Sequence, residues 1–273
     1  MKKILVSLII ILNSFAIHFS FAQDHGHLYV GATSTNQGAP LLITNAADFV
    51  TDSGYVKTLS FTNGGKYAGY FDGNITFEAK PAYNALGDPV AGSAALGAWV
   101  HAQIVSVDGP VGGGFGFWEA GALAPTFNIP CGTISTNTWA LSNNGGAPGT
   151  DPFGHIHGRR FTATKPGIYT VAFKALDRCT NGTGGGPIHT DSDILKVYFQ
   201  AGINISSITR IQNVVSVRFG SLLSQTFYLE SNDNCTTTNW NSVGSVPGND
   251  NFQTLTDTNG SLENFYRIRV TNP

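Results

Sequence analysis

The strongest constraint on this chain is its rhythm of short apolar runs and turn-forming clusters. The runs "HLYVGA", "VKTLSF", "ITFEA", "WVHAQIVSV", "IYTVAFKAL" and "ILKVYFQAG" are rich in β-branched and aromatic residues. Between them stand "TNGG", "YFDGN", "SNNGGAPGTDP" and "TNGTGGGP". Each run is short for a helix and is bounded by Gly, Asn, Asp or Pro, so it reads as a strand. Only "NAADF" and "AGSAALGAW" offer weak helical alternatives. The expected fold class is all-β, with a β-sandwich or jelly-roll-like main domain over residues 23–201.

From residue 202 the pattern restarts on a smaller scale. Val215, Val217 and Phe219 alternate with polar residues, as do Phe227 and Leu229, which is the mark of half-buried strands. Residues 202–273 are therefore expected to form a second, small β-sandwich. Residues 1–22, "MKKILVSLIIILNSFAIHFSFA", have a basic start, an apolar run, and Ser20 and Ala22 where signal peptidase reads small residues. This segment is expected to be a secretory signal peptide. The mature chain would begin at Gln23 and be exported to the periplasm, the cell surface or the medium. No later apolar run is long enough to span a bilayer. Without Lys2 and Lys3 the chain keeps 13 basic residues against 17 acidic ones, a net charge of −4. That balance argues against a nucleic-acid partner, which calls for a basic face. Export permits disulfides, and Cys131 and Cys179, in one domain, are expected to pair. Cys235 is expected to stand in for an apolar core residue.

Six of the seven histidines lie beyond residue 22, and four of them form two H-x-H pairs: His25 with His27, and His155 with His157. Side chains alternate faces along a strand, so each pair can point to one side. Two such imidazoles can reach one divalent ion at about 2.0–2.1 Å. The alternative is a pair of ordinary structural histidines, and the spacing alone leaves both open. The loop "GGGPIHTDSD" offers His189, Asp191 and Asp193 as further ligands, or else forms a solvated turn. His101, beside Trp99, reads more simply as a hydrogen-bonded strand histidine. Arg159 shares the parity of His155 and His157 if the strand continues, which would let it hold a carboxylate near the ion or an anionic ligand; Glu119 is one candidate acid but reads more simply as an ordinary exposed, solitary carboxylate. The glycine-rich "VGGGFGF" reads as a loop or bulge where backbones approach closely. A free amine at Gln23 with His25 at the third position would be a further copper or nickel site, provided that Gln23 does not cyclise.

Residues 154–175, "GHIHGRRFTATKPGIYTVAFKA", resemble the "H-x-H … F-T-x-x-x-P-G-x-Y-x-V-x-F-x-A" motif of bacterial surface-anchored domains that accompany metal-uptake transporters. With "GHLYVGA", "GPVGGGFGFW" and "GPIHTDSD" the likeness extends over most of residues 25–201. It is similar to a group of exported proteins controlled by the zinc uptake repressor, known in cyanobacteria with a C-terminal sorting signal. In this chain a small β module stands in that signal's place. The module resembles fibronectin type III-like domains through Tyr228-Leu229-Glu230, Trp240, Leu255-Thr256-Asp257 and Phe265-Tyr266-Arg267. Asp257 reads there as a turn residue. The first resemblance implies an exported, metal-related β domain with His27, His155, His157 and His189 as candidate ligands. It implies Zn2+, while an all-nitrogen donor set suits Cu2+ or Ni2+ equally. The implied partners are a divalent ion and a metal-uptake transporter or surface component.

No H-E-x-x-H and no G-x-S-x-G is present, so zincin proteases and nucleophile-elbow hydrolases find no support, and the chain is expected not to be an enzyme. The leading expectation is a divalent-metal-binding protein serving scavenging, storage or delivery. The alternative is an adhesion or carbohydrate-binding surface protein whose contacts come from Trp99, Trp118 and Tyr67.

Overall fold

The computed structural model describes residues 27–45, 50–51, 54–156, 159–222, 225–249, 251–261 and 264–271. The expected signal peptide, His25 and His157 lie outside them. Strands dominate, and the described residues hold no α-helix. In chain order the first fifteen strands are β1 (His27–Ala32), β2 (Leu41–Asn45), β3 (Val50–Thr51), β4 (Gly54–Phe61), β5 (Phe71–Gly73), β6 (Thr76–Ala79), β7 (Val100–Asp108), β8 (Gly114–Trp118), β9 (Phe127–Pro130), β10 (Thr133–Ile134), β11 (Thr138–Ala140), β12 (Gly154–Ile156), β13 (Arg160–Ala163), β14 (Gly167–Asp177) and β15 (Leu195–Ala201). Six follow: β16 (Ile205–Ile211), β17 (Val214–Gly220), β18 (Thr226–Asn232), β19 (Asn241–Pro247), β20 (Phe252–Asp257) and β21 (Phe265–Thr271).

The all-β expectation holds. An eleven-stranded sheet runs β10-β7-β14-β15-β4-β5-β13-β8-β9, with β11 on β7 and β3 on β4. Its two end strands, β9 and β10, are joined by the turn at Cys131-Gly132, where Gly132 N–H donates to Val107 O at 2.7 Å. That turn nearly closes the sheet into a barrel. A four-stranded sheet, β12-β6-β1-β2, packs on it. Its inward row, Leu28, Val30, Ala32, Phe77, Ala79 and Ile156, is buried. Phe77 meets the rings of Trp139, Phe161 and Phe173 at 5.4, 6.1 and 5.5 Å, in the offset and edge-on geometries aromatic cores favour. Each such phenylalanine contributes roughly 1.5–3 kcal/mol by burial.

Strand β7 alternates in burial. Val100, Ala102, Ile104 and Val107 are buried, with a bulge against β14 between Ala172 and Phe173 that shifts the register. "VGGGFGF" is corrected: its second half is strand β8, not a loop. The close approach is real in both halves: a Cβ on Gly113 would stand 2.8 Å from the backbone oxygen of Pro110, and one on Gly116 would stand 2.6 Å from Thr162 Oγ1. "AGSAALGAW" lies in turns rather than a helix, and most of "NAADF" falls outside the described residues.

Residues beyond Ile203 have their own core of Val215, Val217, Phe219, Phe227 and Leu229, between sheets β16-β17-β20 and β19-β18-β21. Asp257, expected in a turn, is the last residue of β20 and anchors the turn that follows: its Oδ1 accepts from Asn259 N–H and its Oδ2 from Tyr266 Oη–H, each at 2.9 Å.

All three cysteines are free, which corrects the expected Cys131–Cys179 pair. Cys131 and the Tyr169 ring both crowd Gly109, near the start of β14. Cys179 follows its end, bonded to Asp177. Tyr169 and Asp177 are eight residues apart on one strand, roughly 26 Å, whereas bridged Cα atoms lie within about 7 Å. Cys235 is exposed, not core. Alkylation in denaturant without reductant, read by intact mass, should label both Cys131 and Cys179.

Candidate functional site

The outer face of the four-stranded sheet gathers the most suggestive groups. Strand β6 is its organiser. Ile75, Phe77 and Ala79 point into the core, which turns Thr76 and Glu78 to the opposite face of the sheet, where Thr76 is nonetheless covered. β1 pairs with it in parallel, setting His27 against Thr76 and Tyr29 against Glu78. β12 pairs with it on the other side, antiparallel, setting His155 against Glu78. Residues paired across strands share a face. Two histidines 128 positions apart in sequence therefore come to lie with ring centroids 5.9 Å apart. His155 Nε2 is 3.8 Å from Glu78 Oε2. The Tyr29 ring lies 6.0 Å from that of His27.

Two details fix this arrangement. Gly154 opens β12 with no room for a side chain: a Cβ would stand 1.7 Å from Leu141 O. That contact seats the strand carrying His155 against the sheet edge. Thr76, opposite His27, is wholly buried, and its Oγ1 has no hydrogen-bond partner. A buried hydroxyl without a partner costs about 1–3 kcal/mol.

The donor set of two imidazoles and one carboxylate suits zinc, which takes His2Glu in known sites. Two atoms on one tetrahedral zinc lie roughly 3.3 Å apart, so the 3.8 Å between His155 and Glu78 is half an ångström from shared coordination. Among the described residues no group of three or more His, Cys, Asp or Glu side chains is placed so that it could hold a metal ion, so these three would have to close up to take one.

His189 does not join this site, which corrects its expected role. It is 1% exposed, with Nδ1–H donating to Ala39 O and Nε2 accepting from Ala95 N–H, both at 2.9 Å. Both nitrogens are spent on backbone. It also lies by Ala39, next to the Ala32 end of β1, while His27 begins that strand five residues away, roughly 16 Å. Asp191 pairs with Lys174 at 2.7 Å instead of turning to a ligand. The loop "GGGPIHTDSD" is thus structural.

Arg159 is also separated from the histidines. The expected continuous strand is broken: β12 belongs to the four-stranded sheet and β13 to the eleven-stranded one. Arg159 instead ion-pairs with Glu119, which is therefore not a solitary carboxylate. Trp118 is 2% exposed, with Tyr67 and Tyr70 edge-on to it at 5.0 and 5.6 Å, so it makes no surface contact.

His101 is a surprise of another kind. Both ring nitrogens are buried without a partner, and the ring stands edge-on to Trp99 at 4.5 Å. Burial, seconded by the Arg178 charge and opposed by Asp177, pushes its pKa down to about 4.

Sequence reasoning missed Glu78. The available signal was one acid at an outward position of an otherwise apolar strand, "ITFEA". No protein-family model matches the chain, and no curated protein matches it.

Proposed function

We propose that this chain is an exported metal-binding protein that takes up one divalent ion, zinc foremost, on the outer face of its four-stranded sheet. His27, His155 and Glu78 hold the ion. The reading rests on one observation: pairing through β6 draws two distant imidazoles and a carboxylate to the same few ångströms of surface. The leader-like residues 1–22 and the resemblance of residues 154–175 to metal-uptake-associated domains support export and a role in scavenging, storage or delivery. The imidazoles ligate only when neutral, so uptake weakens in acid.

The test is elemental analysis and zinc titration by calorimetry on the purified chain, stripped with chelator and reloaded at neutral pH. About one equivalent of zinc is expected. His27→Ala/His155→Ala should abolish it, and Glu78→Gln, which removes the anionic ligand, should weaken it by more than the roughly 10–100-fold that losing an outer supporting group costs. A His157→Ala variant, measured separately, asks whether the second histidine of "HIH" contributes. Retention of zinc by His27→Ala/His155→Ala would overturn the reading.

A further inference from the structure

A second constellation lies on the outer face of sheet β19-β18-β21. The register of β18 with β21 sets Glu230 opposite Arg267 and Tyr228 opposite Arg269. Glu230 is 5% exposed, and its two oxygens accept from Arg267 Nε and Arg269 Nε at 2.7 Å each. The Arg267 guanidinium lies over the Trp240 ring at 4.4 Å, and that of Arg269 over the Tyr228 ring at 4.1 Å. One arginine would neutralise Glu230, but two are held, so the cluster carries a net positive charge. Each guanidinium has four further N–H donors on its Nη atoms. Among the described residues none of these has a protein acceptor, and the two side chains are 44% and 42% exposed.

The geometry points to a binding site for an acidic polysaccharide, one whose pyranose units carry carboxylates. Arg267 and Arg269 present rigid forks whose shape matches a carboxylate bidentately. Their aromatic supports and the shared Glu230 fix them in advance, so little freedom is lost on binding. Phe265 continues the same row of β21 and is 46% exposed, offering an apolar ring to the face of a sugar. The row from Phe265 to Arg269 spans roughly 14 Å, enough for a few sugar units. Two cations fall well short of the cluster of about 4–8 that anionic lipid surfaces recruit. This site shares no residue with the metal face.

The experiment is calorimetric titration of the full chain with polygalacturonate at low salt, in chelator so that no metal bridges the partners. Binding that weakens as salt rises is expected, with none to neutral dextran. Arg267→Lys/Arg269→Lys keeps both charges but loses the forks and ring stacking, and should bind at least tenfold more weakly with its melting temperature little changed. Should that variant prove unfolded, Phe265→Ser and Trp240→Phe, which leave Glu230 neutralised, serve instead: each is expected to weaken binding. Wild-type affinity in the folded variants, no binding by the wild type, or equally tight binding of dextran, anionic vesicles or a polynucleotide would overturn the proposal.

Discussion

Replacing Asp177 with alanine is expected to lower the free energy of unfolding by about 4 kcal/mol or more, counting at least 1 kcal/mol for each buried donor left unsatisfied. The side chain closes β14 and is 5% exposed. Its Oδ1 accepts from the N–H groups of Trp99 and Cys179, at 2.9 and 3.0 Å. Its Oδ2 accepts from those of Ile188 and His189, at 3.0 and 3.1 Å, and from the Cys179 thiol. Three loop segments are thereby pinned to one carboxylate. Asparagine would retain one acceptor and point an amide N–H2 at the other donors, so Asp177→Asn should fall between wild type and alanine. Urea denaturation at neutral pH measures both. Burial raises the Asp177 pKa, but the donors of Cys179, Trp99 and His189 outweigh it and leave it below 3.8. With the folded value lowered, the stabilisation is complete above the unfolded pKa and is lost as pH falls through the folded one. A change of less than 1 kcal/mol in Asp177→Ala would refute this account.

The second large effect lies in a higher pH window. His101 is held neutral: its folded pKa is about 4 against 6.5 for a free imidazole. The unfolded chain therefore binds the proton first. Stability should fall as pH drops from 6.5 towards 4, by about 3 kcal/mol at 1.36 kcal/mol per pKa unit. The groups that face the ring electrostatically are Arg178, which opposes protonation, and Asp177, which favours it. His101→Phe keeps the edge-on contact with Trp99 and discards two unpartnered nitrogens. Its stability at pH 7 should be at least that of wild type, and its profile between pH 6.5 and 4.5 should be nearly flat. An unchanged slope in that variant would exclude His101 as the source. Asp177 acts below this window, so the two contributions separate by pH.

The histidine site was half legible. The spacing of "HGH" and "HIH" announced imidazoles that can share one side of a strand, and His27 and His155 do lie on one face. Nothing in spacing could tell that β6 stands between their strands, which is what brings Glu78 in. His189 shows the opposite limit. A histidine in a glycine-rich loop beside two acids has the look of a ligand until the fold supplies backbone partners for both nitrogens. In the C-terminal module the alternation of Val215, Val217, Phe219, Phe227 and Leu229 marked the core, while the contacts among its polar and aromatic residues were not foreseen. Glu230 pairs with Arg267, whose guanidinium lies over Trp240, and Tyr266 donates a hydrogen bond to Asp257.

The sequence alone determined many of the strands, though not β2, β8 or β9, because period-two burial and turn chemistry are local properties of a few consecutive residues. It determined β1 to the residue, and the runs of β7, β14 and β15 to within one residue at each end. It could not determine which strands pair, since pairing depends on chain closure over 50 to 150 residues and on how one core is filled. The eleven-stranded near-barrel, the separation of Cys131 from Cys179, the burial of His101 and His189, and the meeting of His27, Glu78 and His155 were decided only there. Each depends on which long-range contacts satisfy buried polar groups while filling the interior, and no short stretch of sequence carries that information.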